Sequence, residues 1–184
     1  MTPKPKLTGN IRLAGTALAV LASLCLIPSS PRAQVSGCSD AVSRQFDFWV
    51  GRWRVFTSGQ PDKQVATSLI EKLYAGCAIR ENWSPFRGHP GGSLSAFVRG
   101  DGGWRQAWAD GDGSWAEFKG GWNGAAMILT GVWPQPGHPA QITRMTYTPL
   151  PDGAVRQSGE ASDDGGKTWQ PSFDFIYRRD NAPL

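Results

Sequence analysis

Three short stretches set a polar side chain that can hold or move a proton between large apolar ones. Ile79, Glu81 and Trp83 alternate, Trp104, Gln106 and Trp108 alternate, and Val155 stands two places before Gln157. On an extended chain alternate residues share a face, so if the apolar members point inward, Glu81, Gln106 and Gln157 do too. An inward carboxylate is costly unless it is paired. Glu81 therefore needs a donor such as Arg144 or a hydroxyl such as Tyr147, and parity places those two on opposite faces, so at most one faces in. Three chemistries fit this pattern. One is a buried structural hydrogen-bond network. The second is an aromatic cup in which Glu81, Trp83, Gln106, Trp108, Tyr147 and Gln157 orient a ligand. The third is general acid/base chemistry at Glu81.

Other chemistries lack their parts. His89 and His138 each stand directly before a proline in a loop, and no HxH, HExxH or Cys/His cluster accompanies them, so no zinc site is expected. Neither histidine is placed to ligate haem from a strand, and no Gly-x-Ser-x-Gly elbow is present. The expectation is no metal and no cofactor. Ser162-Asp163-Asp164-Gly165-Gly166-Lys167-Thr168-Trp169 fits the S-x-D-x-G-x-T-W Asp-box pattern. Physically this is a self-sufficient hairpin turn, in which aspartate and hydroxyl oxygens satisfy turn N–H groups.

The elements that must position these residues read as strands. Arg52–Thr57, Val65–Tyr74, Ala78–Ser84, Ser93–Arg99, Trp104–Asp110, Trp115–Gly121, Ala126–Trp133, Gln141–Thr148, Val155–Ser162 and Trp169–Arg179 are separated by turn chemistry such as Asp101-Gly102-Gly103, Asn123-Gly124 and Pro151-Asp152-Gly153. About ten strands joined by tight turns form an antiparallel meander. A meander of this length best removes its edges by closing into a single up-and-down β-barrel, with a two-sheet sandwich as the alternative. The fold class is therefore all-β. In the opening Phe46-Asp47-Phe48-Trp49-Val50-Gly51-Arg52-Trp53, Gly51 permits close backbone approach and the Trp53 indole plugs the closed end. Residues 34–45 are polar and read as coil or a helical turn capped by Asp40 or Ser39. The nine tryptophans have two readings, barrel filling or the lining of a flat ligand's site.

Residues 1–33 read as a signal peptide preceding a single domain, 34–184. Lys4, Lys6 and Arg12 precede the apolar run from Leu13 to Ile27, and cleavage after Ala33 follows the usual small-residue rule. The run is short for a membrane span, which needs about 20 apolar residues, although a retained N-terminal anchor is the alternative. Four of the nineteen basic residues and none of the fifteen acidic ones fall in 1–33, so the remainder balances at fifteen of each. The basic character belongs to the leader, and nothing points to a nucleic-acid partner or an anionic membrane. Cys38 and Cys77 are the cysteines left after processing. In an oxidising compartment they most simply form a disulfide closing a loop of about 38 residues, worth about 3–4 kcal/mol; two free thiols are the alternative. Periplasmic or secreted localisation follows from the leader, whereas the sequence is silent on oligomeric state.

Phe46-Asp47-Phe48-Trp49-x-Gly51-x-Trp53 and Gly76-Cys77-x-x-x-Glu81-x-Trp83 resemble the motifs of a family of exported bacterial proteins of unknown function, whose members are lipocalin-like, calycin-type β-barrels. The likeness continues through Arg105-Gln106-x-Trp108, Arg144-Met145-Thr146-Tyr147-Thr148-Pro149, Asp152-Gly153-x-Val155-Arg156-Gln157 and Phe173-Asp174-x-x-Tyr177-x-Arg179, covering 38–179. Similar proteins often carry tryptophan where Gly159 and Tyr147 stand here, which implies a reshaped pocket. The lipocalin likeness further implies that Arg179, from the last strand, stacks on the Trp53 indole and seals the barrel floor, with Arg178 pointing outward. Trp169, Phe173, Phe175, Tyr177 and Arg179 would then share the inner face.

Overall fold

The computed structural model describes Met1, 37–134 and 141–181, so the proposed leader beyond Met1 and also His138 lie outside the described residues. β-branched and aromatic residues alternate with polar ones between glycine-rich turns, and each such stretch forms a strand. The strands are β1 (Gly51–Thr57), β2 (Gln64–Leu73), β3 (Ala78–Pro85), β4 (Gly91–Val98), β5 (Gly103–Asp110), β6 (Trp115–Trp122), β7 (Met127–Trp133), β8 (Gln141–Pro149), β9 (Val155–Ser162) and β10 (Gln170–Arg179). Every strand pairs antiparallel with its sequence neighbours, and β1 pairs with β10 to close a ten-stranded barrel. The sandwich alternative is thereby set aside. Among the described residues no helix is long and apolar enough to cross a membrane.

Inward positions are apolar near the plugged end, where Trp53, Ile70, Ile79, Trp104, Leu129, Tyr147 and Val155 are buried. Two 3-10 turns, Val42–Arg44 and Asp47–Trp49, precede β1. The first is capped by Asp40, whose Oδ1 accepts from the Ser43 N–H at 3.0 Å. The second brings Phe46 and Trp49 into the barrel: both are fully buried, with their rings 5.0 and 4.8 Å respectively from that of Tyr147. The plug is therefore larger than Trp53 alone. The Trp53 indole N–H donates to the Trp49 carbonyl at 2.8 Å, and the Arg179 guanidinium lies 3.9 Å from the Trp53 ring centroid. Arg179 also donates to the Val50 carbonyl at 2.6 Å. Gly51 has φ +146°, and a Cβ there would sit 2.0 Å from Arg179 Nη1, so this arginine needs the glycine to reach the floor.

Cys38 and Cys77 form a disulfide that ties the segment before the plug to the β2–β3 connection. On the outer wall, charges pair between strands, as in Glu71–Arg80, Arg144–Glu160 and Arg156–Asp174.

Three local expectations are corrected. β4 starts at Gly91 rather than Ser93, because Gly91 and Gly92 are ladder residues: a Cβ on Gly92 would stand 2.4 Å from the Glu81 carbonyl, and one on Gly91 2.6 Å from the Trp108 ring. β2 ends at Leu73, since Tyr74 and Ala75 turn to φ +53° and +55° beside the disulfide. Trp169 does not share the inner face. The β10 register shifts between Pro171 and Phe173, and the Trp169 ring lies outside, 4.1 Å from the Arg144 guanidinium.

Candidate functional site

Above the plug the barrel interior is neither apolar nor filled. β3 aims Glu81 inward between Ile79 and Trp83, β5 aims Gln106, β8 Tyr147, β9 Gln157 and β10 Tyr177, and all of these are buried. β2 adds Ser68, and β4 adds Ser93 and Ser95. These groups form a connected belt. Ser68 and Ser93 hydroxyls donate to Glu81 at 3.1 and 3.3 Å, and the Tyr177 hydroxyl lies 3.4 Å from Glu81 Oε1. Tyr177 donates to Gln157 Oε1 at 2.6 Å, Gln157 to the Tyr147 oxygen at 3.1 Å, Tyr147 to Gln106 Oε1 at 3.4 Å, and Gln106 to Ser95 at 2.9 Å.

The belt is the floor of a cavity of about 220 Å³. Its polar lining is Glu81, Gln106, Gln157, Tyr147 and Tyr177, and its walls are Trp83, Trp108, Trp133, Phe173, Phe175 and Met145. The aromatic walls are half-buried toward the end of the barrel opposite the plug, whereas the floor and Met145 are buried. Phe173 packs over the Gly159 backbone, where an added Cβ would come within 2.2 Å of its ring. The Phe173 ring therefore fills the space that a tryptophan at 159 would need.

Among the described residues Glu81 is the one buried charged side chain. Desolvation pushes its carboxyl up to about 7, and the hydroxyls of Ser68, Ser93 and Tyr177 offset only part of that rise. Burial also raises both phenols, with the nearby Glu81 charge adding to the effect. Of the two donors expected for Glu81, Arg144 points outward and pairs with Glu160 at 2.8 Å, and Tyr147 points inward but bonds Gln106. The groups that do reach Glu81, Ser68, Ser93 and Tyr177, were missed. A serine on a strand carries no signal in sequence, and Tyr177, although expected on the inner face, has no spacing that ties it to Glu81.

The tryptophans divide by location. Trp49, Trp53 and Trp104 belong to the plugged end, and Trp83, Trp108 and Trp133 to the cavity wall. Trp122 packs on Phe48, while Trp115 and Trp169 lie on the outer surface. In the Asp-box turn, Asp164 accepts from the backbone of Lys167 and Thr168 and from the hydroxyls of Ser162 and Thr168, which hold its carboxyl at about 2. His89 pairs with Asp112 at the surface. No group of three or more His, Cys, Asp or Glu among the described residues is placed to hold a metal.

The six side chains of the expected cup, Glu81, Trp83, Gln106, Trp108, Tyr147 and Gln157, all line one cavity. No protein-family model matches the chain, and no curated protein does either.

Proposed function

We propose that this chain is an exported β-barrel that binds a small amphipathic or aromatic molecule in the cup above the polar belt. The observation that carries this reading is the unfilled interior, about 220 Å³ between a hydrogen-bonding floor and an aromatic wall. A dry cavity of about 150 Å³ already admits benzene, and ligand sites for drug-sized molecules run from about 300 Å³ upward. The volume here suits one or two rings, not a long acyl chain. In this reading Glu81, Gln106, Tyr147 and Gln157 orient the ligand, and Trp83 and Trp108 cover its apolar body. A leader at 1–33, a domain at 34–184 and membership of the exported lipocalin-like family belong to the same proposal, which the Cys38–Cys77 disulfide supports by pointing to an oxidising compartment. Native mass spectrometry of the protein recovered from its host tests it, together with quenching of tryptophan fluorescence by a panel of small aromatics. A protein that is always empty and never quenched would reject it.

A second reading, a small lyase, isomerase or hydrolase using Glu81, is favoured by one observation. A carboxyl held at about 7 within a cavity is poised to give or take a proton near neutrality. Glu81→Gln separates the two readings, because an enzyme would keep its ligand and lose turnover, whereas a binding protein has no turnover to lose.

A further inference from the structure

The belt leaves a definite imbalance at Glu81. A carboxylate accepts about four hydrogen bonds. Oε1 receives Ser68 at 3.1 Å and Oε2 receives Ser93 at 3.3 Å. The third neighbour, Tyr177, has a single proton, and its 2.6 Å contact with Gln157 Oε1 takes that proton away from Glu81 at 3.4 Å. The protein's own donors therefore leave at least one acceptor position on Glu81 open to a donor from the cavity it faces. Every group reaching it is neutral, Ser68 from β2, Ser93 from β4 and the Tyr177 phenol from β10, and the Tyr147 phenol from β8 lies nearby. Among the described residues no lysine, arginine or histidine lines the cavity.

Around that carboxylate the wall is built of indoles. Trp83 is two residues further along the same strand. Glu81 pairs with Ser93 and Ser93 with Trp108, so Glu81 and Trp108 lie in one cross-strand row. An electron-rich aromatic face attracts a cation, most strongly when the site is desolvated. A carboxylate without a counter-ion attracts the same charge and repels an anion.

We propose that the cavity takes a compact organic cation, a protonated amine on a one- or two-ring body, with its N–H group on the Glu81 carboxylate and its charge against the indoles of Trp83 and Trp108. This deepens the binding reading above and rests on it. The ligand supplies the counter-ion that the fold withholds. A carboxylic acid or a phosphate finds there the Glu81 carboxylate, hydroxyls and the amides of Gln106 and Gln157, whose N–H groups already donate to Ser95 and Tyr147, and no positive charge, so it is rejected. Because the bound cation needs Glu81 ionised, binding at mildly acid pH releases a proton.

A matched set tests this: benzylamine and phenethylamine, the neutral benzyl alcohol, and the anions benzoate and phenylacetate, each titrated into the intact mature protein by tryptophan fluorescence and calorimetry. These amines stay protonated to about pH 9. Both amines should bind at least about tenfold more tightly than the alcohol, and benzoate and phenylacetate should not bind. Amine affinity should rise about tenfold between pH 6 and pH 8, with protons released at the lower pH. Folded Glu81→Gln should lose both the amine preference and the pH dependence. Equal or tighter binding of the alcohol or the anions by the wild-type protein overturns the cation assignment and leaves the cavity a binding site. No quenching by any member at millimolar concentration overturns the cation assignment, and it overturns the binding reading as well when native mass spectrometry also finds the protein empty. The wild-type comparison decides the question even if the variant fails to fold.

Discussion

Glu81 ties the stability of the barrel to pH in a direction opposite to that of the surface carboxylates. Burial holds its carboxyl at about 7 in the folded protein, and unfolding returns it to the ordinary glutamate value of 4.5. Between those values the native state holds a proton that the unfolded chain gives up, so this contribution is full below about pH 4.5 and is lost as pH rises to 7. The loss amounts to at most about 3 kcal/mol. Glu81→Gln should therefore unfold at higher urea than wild type at pH 8 and at similar urea at pH 5; a constant difference across that range would contradict the buried-carboxyl account. Trp53 acts by packing. It is 1% exposed, donates to Trp49 and carries Arg179 on its face. Trp53→Ala should cost about 3–5 kcal/mol in equilibrium unfolding. Arg179→Ala, which loses the ring contact and the bond to Val50, should cost about 1–3 kcal/mol.

At the scale of elements, the contact between Gly159 on β9 and Phe173 on β10 shapes the mouth of the cup. Gly159→Ala should drive Phe173 from its seat and destabilise by about 1–3 kcal/mol. Much of that loss should return in the double variant with Phe173→Leu, a coupling that a double-mutant cycle measures. The Cys38–Cys77 bridge spans 39 residues. Reducing it should lower stability by about 4 kcal/mol in the chain-entropy picture, read as a shift in urea midpoint with dithiothreitol. These elements also mark how far the sequence could be read. Strand positions followed from Asn-Gly and Asp-Gly turns and from period-two alternation, and that alternation alone pointed Glu81, Gln106 and Gln157 inward. It failed at Trp169, where a bulge inserts a residue and reverses the faces. It also failed at Gly91 and Gly92, whose glycines signal close approach as readily as a turn. The Phe46–Trp49 plug was legible only as an aromatic cluster, since a 3-10 turn of three residues has no period to detect. The serines of the belt were silent for the reason that makes them useful: small and neutral, they fit anywhere.

For the molecule as a whole, closure depends on the two strands farthest apart in the chain. Trp53 on β1 stands opposite Arg179 on β10. During synthesis, β1 must therefore wait, with one flank unpaired, until β10 has emerged. Contacts so distant make for slow folding, and a waiting strand flank invites the wrong partner. A chain shortened to end before Gln170 should leave two raw flanks, on β1 and β9, and form aggregates detectable by light scattering rather than a smaller soluble barrel. The seam between β1 and β10 is thus also a checkpoint for completeness, because a nascent chain becomes safe from its neighbours only when its last ten strand residues have arrived.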